Sequence, residues 1–168
     1  MSISMYEASA PRFAGMLRNL GAVLGKAQAH AAAKKIDPAV LLAARLFPDM
    51  FPLLKQVQIS CDHAKGAVAR LAGVEVPRFE DTEQSFEELQ ARLGKTIAFV
   101  ESFAAGQIDG SEERQIALKV GGHDLSFKGM PYLLGYALPN FYFHVVTAYD
   151  ILRHNGVEIG KRDYIGNP

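Results

Sequence analysis

Between Ser9 and Ala33 the apolar residues Phe13, Met16, Leu17, Leu20, Val23, Leu24 and Ala27 recur at intervals of three and four, which lines one face of a helix. Asp37-Pro38 reads as an N-cap followed by a first-turn proline and opens a short helix over Ala39 to Leu46. A second main helix is predicted from Asp49 to about Leu71, stopping near Gly73, with a proline-containing crossover from Val74 to Glu80. Asp81 and Gln84 have the spacing of a capping box, and Phe86, Leu89, Leu93, Ile97, Val100 and Phe103 supply the stripe of a third helix. The period then shortens. Gln115 to Val120 and His123 to Phe127 roughly alternate around Gly121-Gly122, as the strands of a β-hairpin do. Two strands alone are marginal, so this pair has to lean on the helices. A fourth helix runs from about Tyr132 to Arg153, broken or kinked by Pro139 and closed by Asn155-Gly156, and a glycine-containing tail from Val157 to Pro168 folds back. The pattern predicts an all-α four-helix bundle with a small hairpin between helices three and four, in a single domain over residues 1–168.

Composition narrows what such a bundle does. Hydrophobic residues are 49% of the chain, enough for one sizeable core. The 18 Lys and Arg cancel the 18 Asp and Glu, so no net field draws a polyanion and nucleic acid is not an expected partner. No apolar run approaches the roughly 18 residues of a membrane span, so no membrane partner is expected either. Met1 to Met5 lack the basic and apolar regions of a signal peptide, and the expected location is cytoplasmic. Cys61 is the one cysteine, which excludes an internal disulfide and a multi-cysteine metal cluster. It reads as a core residue, because side chains one and two apart on a helix, such as Asp62 and His63, point in other directions.

Polar residues interrupt the apolar stripes in two places. Asp49, Gln56 and His63 are spaced by seven, on one stripe of the second main helix with Leu53 and Ser60. Asn140, His144 and Thr147 make a similar stripe on the fourth, flanked by Phe141, Phe143 and Ile151. Facing the bundle interior, such groups need partners. One reading is a small-molecule pocket in which His63 or His144 gives or takes a proton and Gln56, Asn140 and Thr147 hydrogen-bond the ligand. The other is a closed hydrogen-bond network that fixes helix register. Asp49 would lie about 21 Å along the helix from His63, so with Arg45 it reads as a cap or ion pair. Tyr142 and Tyr149, seven apart, read as packing or as a dimer interface.

Other strings are longer and more specific: Ala44-Arg45-Leu46 with Pro48-Asp49-Met50, Gln56-Val57-Gln58, Pro139 through His144, Thr147 through Val157, Gly160-Lys161 and Asp163-Tyr164. On these the chain resembles, over nearly its whole length, a bacterial family of functionally uncharacterised proteins within the DinB/YfiT-like superfamily. The resemblance implies a DinB-like four-helix bundle with a long crossover between helices two and three, often homodimeric. It also implies a superfamily of metal-dependent enzymes that includes thiol-dependent transferases and hydrolases. Their divalent metal, Zn or Ni, would be held by a histidine of helix two and an H-x-x-x-H pair of the last helix. His63 and His144 stand where two of these ligands belong, and the third position is Ala148. One turn either side of His63 lie Ile59, Ser60, Gly66 and Ala67; around His144 lie Asn140, Phe141, Thr147 and Ala148, so neither gains a second strong ligand from its own face. Three functions follow. The chain is a bundle with an incomplete ancestral metal site that binds a small molecule in its core, or a metal-dependent transferase or hydrolase using His63 and His144 plus a further ligand, or a homodimeric structural or interaction module.

Overall fold

α1 (Ala10–Lys34) buries Phe13, Leu17, Leu20, Leu24 and Ala27 along the predicted stripe. In the computed structural model, which describes residues 3–167, it is followed by α2 (Pro38–Ala43), α3 (Leu53–Ala72) and α4 (Phe86–Glu101). Next come α5 (Ala105–Ile108), the strands β1 (Gln115–Val120) and β2 (His123–Lys128), and α6 (Gly129–Tyr132). A π-helical turn (Leu133–Ala137), α7 (Leu138–His154) and α8 (Lys161–Ile165) complete the chain. Met1 and Ser2, part of the segment read for a signal peptide, and Pro168, the end of the predicted tail, lie outside the described residues. The fold is the predicted one: four long helices, α1, α3, α4 and α7, with a two-stranded hairpin before the last. α3 packs on both α4 and α7, and α1 closes the ring against α4 and, more lightly, α7. Phe13 of α1 meets Phe141 of α7 edge to face at 4.9 Å, in the middle of the core. Among the described residues no helix is long and apolar enough to cross a membrane.

Four boundaries differ from the sequence reading. α2 stops at Ala43 rather than Leu46, with Ala44 already extended at ψ 143°, and α3 starts at Leu53 rather than Asp49, because Pro52 favours extended backbone before it. Asp49 is therefore off the helix, and Arg45 pairs with no carboxylate there; its Nη1 donates to the carbonyls of Pro48 and Met50 at 3.4 and 3.2 Å. The cap of α4 is built four residues later than Asp81 and Gln84, with the return bond reaching the residue before the N-cap. Ser85 Oγ accepts from the Glu88 N–H at 3.1 Å, and Glu88 Oε2 accepts from the Gln84 N–H at 2.5 Å. Asp81 is engaged elsewhere, by Lys55 and by Arg92, the latter at 2.9 Å. Arg92, its side chain 2% exposed, also binds Asp62 and Glu83 at 3.0 Å each and donates to the Glu80 carbonyl at 3.1 Å. Gln58 of α3 donates to Glu83 at 2.8 Å. The long crossover, residues 73–85, is thus pinned into the seam between α3 and α4 by the Arg92 guanidinium, with Lys55 and Gln58 holding two of the same carboxylates.

The fourth boundary bears on the site. The last long helix begins at Gly129 and continues through Pro139 without a break. Proline removes one backbone donor, and the chain absorbs this by widening the preceding turn: the Leu138 N–H donates to the Leu133 carbonyl, five residues back. Gly121 and Gly122, at φ 56° and 85°, make the hairpin turn, where two successive left-handed residues match the twist of the strands. The hairpin does lean on the bundle. Ile116 is buried, and the Phe127 ring lies 5.4 Å from Tyr136 and 6.0 Å from Tyr132. The tail folds back as α8 onto α1, where Asn19 Nδ2 donates to the carbonyls of Tyr164 and Ile165 at 3.1 and 2.8 Å. Tyr149 packs on Tyr164 and Tyr142 on Phe141, so each of the two tyrosines has a partner inside the chain.

Candidate functional site

Gln56 and His63 stand two helical turns apart on the face of α3 that meets α7, and His144 comes from α7 to join them. The His63 and His144 rings lie near-parallel, centroids 5.7 Å apart with 16° between their planes. Gln56 is 1% exposed and fully committed. Its Nε2 donates to the Phe51 carbonyl at 3.0 Å, which turns Oε1 toward His144 Nδ1 at 2.6 Å. The reverse amide orientation would set two acceptors against each other at Phe51. Oε1 accepts, so His144 Nδ1 carries the proton and the neutral ring keeps its lone pair on Nε2. Ser60 donates back to the Gln56 carbonyl at 2.8 Å and takes no part.

His63 is held differently. It is half-buried, has Tyr136 of the π-turn against it at 6.1 Å, and has no hydrogen-bond partner among the described residues. It opens onto a cleft of about 250 Å³ shared with Arg70 and Tyr136 of the bundle and Leu118, Lys119 and Val120 of the hairpin. Asn140 and Thr147 do not join this group. Asn140 Nδ2 donates to the Tyr136 carbonyl at 2.8 Å and Thr147 Oγ1 to the Phe143 carbonyl at 2.7 Å, each bonding back along its own helix. Arg70 was not anticipated, although its signal is in the sequence: it lies seven residues after His63, as His63 does after Gln56. The stripe continues forward to Arg70, and Pro52 stops it from running back to Asp49.

The family model for a domain of unknown function, DUF1993, matches residues 5–165. The chain belongs to this family. A DinB family member protein from Shewanella denitrificans, whose crystal structure is known at 1.83 Å resolution, has 41% sequence identity to it. That likeness covers 97% of this chain and 92% of the other, with a TM-score of 0.87, so the DUF1993 bundle is DinB-related in fold. No curated protein matches the chain.

The DinB relation raises the question of a metal, and the residues of this DUF1993 chain fit one poorly. A catalytic zinc takes three protein ligands. Here two imidazoles meet, Ala148 stands buried at the position where the resemblance places the third, and among the described residues no group of three His, Cys, Asp or Glu is gathered. The set suits organic chemistry better. Burial, and after it the neighbouring His144, lowers His63 to about 4 from an ordinary 6.5; Asp62 opposes and Arg70 adds to the fall. Burial likewise lowers His144. Both rings are neutral near pH 7, each with a ring nitrogen able to accept a hydrogen bond. Cys61 tends the opposite way: fully buried, its thiol is pushed up to about 11, chiefly by loss of water, which removes it from nucleophilic roles.

Proposed function

We propose that this DUF1993 chain is a DinB-like bundle that binds a small organic molecule in the cleft beside His63, and that the neutral His63 ring hydrogen-bonds it. The observation that carries the reading is the division of labour between two stacked histidines. The Gln56–His144 bond has the character of a register contact, engaging both ends of the Gln56 amide and Nδ1 of His144. His63, one ring away, is neutral, has no hydrogen-bond partner among the described residues, and faces the cleft of about 250 Å³. A register network alone gives no reason for the second imidazole to be left open.

The experiment is imidazole-detected NMR of 15N-labelled protein with a small-fragment library, together with metal analysis of protein purified without a histidine tag or chelator. Saturable shifts of the His63 ring, absent in His63→Ala, are the expected result. A library that leaves His63 unmoved overturns the reading. Near-stoichiometric metal lost in both His63→Ala and His144→Ala would overturn it in favour of the metal-dependent transferase or hydrolase. The homodimeric reading has its own support in Phe143 and Val146, apolar side chains that α7 leaves exposed, and light scattering decides it.

A further inference from the structure

The cleft beside His63 holds more positive charge than its own carboxylate balances. Asp62, the one acid lining it, is already bound by Lys65 at 2.9 Å and Arg92 at 3.0 Å. Arg70 and Lys119 line the same cleft, and among the described residues neither has a carboxylate within salt-bridge distance. Asp124, the cross-strand neighbour of Lys119 in the hairpin, is not bonded to it.

Arg70 is nonetheless held in place. Its Nη1 donates to Tyr132 Oη at 3.1 Å, and its guanidinium lies over Gly66, where a Cβ would stand 2.4 Å from Nη1. A side chain at 66 would displace the guanidinium. A cation in the last turn of α3 is favoured by the helix dipole, which accounts for the charge but not for this aim: Arg70 donates to the phenol on α6 instead of to the last carbonyls of its helix. Among the described residues the rest of its planar fork has no hydrogen-bond partner, the arrangement that suits paired anionic oxygens. Leu118, Val120 and Tyr136 give the same cleft an apolar wall.

We infer that this cleft takes a small organic anion, its charged oxygens on Arg70 and Lys119 and its apolar body against Leu118, Val120 and Tyr136, alongside His63. The inference rests on reading the cleft as a ligand site and adds the ligand's charge and shape. Gly66 is the positioning residue that leaves room for the guanidinium.

Three probes with the same phenyl body test it on the wild-type protein: benzoate, phenyl phosphate and benzamide, the neutral isostere of benzoate, each titrated while the His63 and Tyr136 ring signals are followed by NMR. At least one anion is expected to bind at least about tenfold more tightly than benzamide, the difference a charge-assisted contact supplies. The stronger of the two names the head group as carboxylate or phosphate. Arg70→Met should weaken that anion at least about tenfold and leave benzamide unchanged, and Gly66→Ala should act in the same direction while keeping the charge. Equal binding of anion and benzamide, or an anion indifferent to both variants, overturns the inference and leaves the small-molecule reading standing. Anions that move neither ring also overturn it, and the fragment library then decides the broader reading separately. Should Arg70→Met fail to fold, the wild-type comparison of anion with benzamide still decides between the two outcomes.

Discussion

A half-buried histidine faced by another histidine holds a proton badly, and this has a consequence for the whole chain. His63 is flanked by Asp62 and Arg70 on its own helix, by His144 on α7 and Tyr136 on the π-turn, and shares its cleft with Lys119 of β1. Unfolded, it takes up its proton near 6.5; folded, only near 4. Between those values the unfolded state binds more protons, so stability is complete above about 6.5 and falls as pH drops toward about 4. His144 contributes in the same direction. Urea unfolding at about pH 7.5 and about pH 5 should therefore show a smaller loss on acidification for His63→Gln than for the wild type. Equal losses would mean that His63 titrates as it does in the unfolded chain. Gln56, His63 and His144 were legible in the sequence because polar residues at helical spacing, seven apart on α3 and three or four apart on α7, stand out on an apolar stripe. What the spacing could not say is that Asn140 and Thr147, chemically similar, would satisfy themselves on their own backbone.

At the scale of elements, the helices were legible wherever a stripe was long, and their ends were not. Asp81 and Ser85 are both good N-caps by residue type; a distant guanidinium recruited the first, and the second caps α4. Pro139 signals a lost hydrogen bond, yet a break and a widened turn answer that signal equally well, and the packing of Tyr136 against His63 and Phe127 belongs to the widened one. Helix termini and interiors also give opposite expectations for glycine. Lys35 ends α1 at φ 56°, a left-handed conformation that suits glycine, and Lys35→Gly should stabilise the protein by about 1 kcal/mol. Gly94 lies within α4 with open space around it, so Gly94→Ala should add about 0.5–1 kcal/mol. Gly129→Ala should destabilise, since its Cβ would stand 1.9 Å from the Ser111 carbonyl oxygen. Thermal melts of the three variants check the signs, and a stabilised Gly129→Ala would mean that the backbone at Ser111 gives way without cost.

Across the whole molecule, the crossover is the part that local pattern cannot place, because what holds it is charge between residues far apart in sequence. Asp62, Asp81 and Glu83 converge on Arg92. Burial raises Asp81 and Glu83, but hydrogen bonds and charge outweigh it, from Lys55 and Arg92 at Asp81 and from Gln58 and Arg92 at Glu83, and hold both below the ordinary carboxylate range. Their stabilisation is present above that range and is lost as pH falls through the lowered values. Arg92→Met should cost about 3 kcal/mol near pH 7, the lower end for a buried pair because the carboxylates stay partly wet. That deficit should shrink toward about pH 4, as protonation removes the repulsion among the stranded acids. Denaturant curves of both proteins across this range check it, and a deficit independent of pH would detach the stability of the crossover from its charges. The chain also carries, at the centre of this assembly, a timer for its own breathing. Cys61 is the sole thiol and fully sealed in α3. A thiol reagent can reach it only when the core face of that helix opens, so the labelling rate of the native protein, divided by that of an open thiol, counts how often the bundle comes apart.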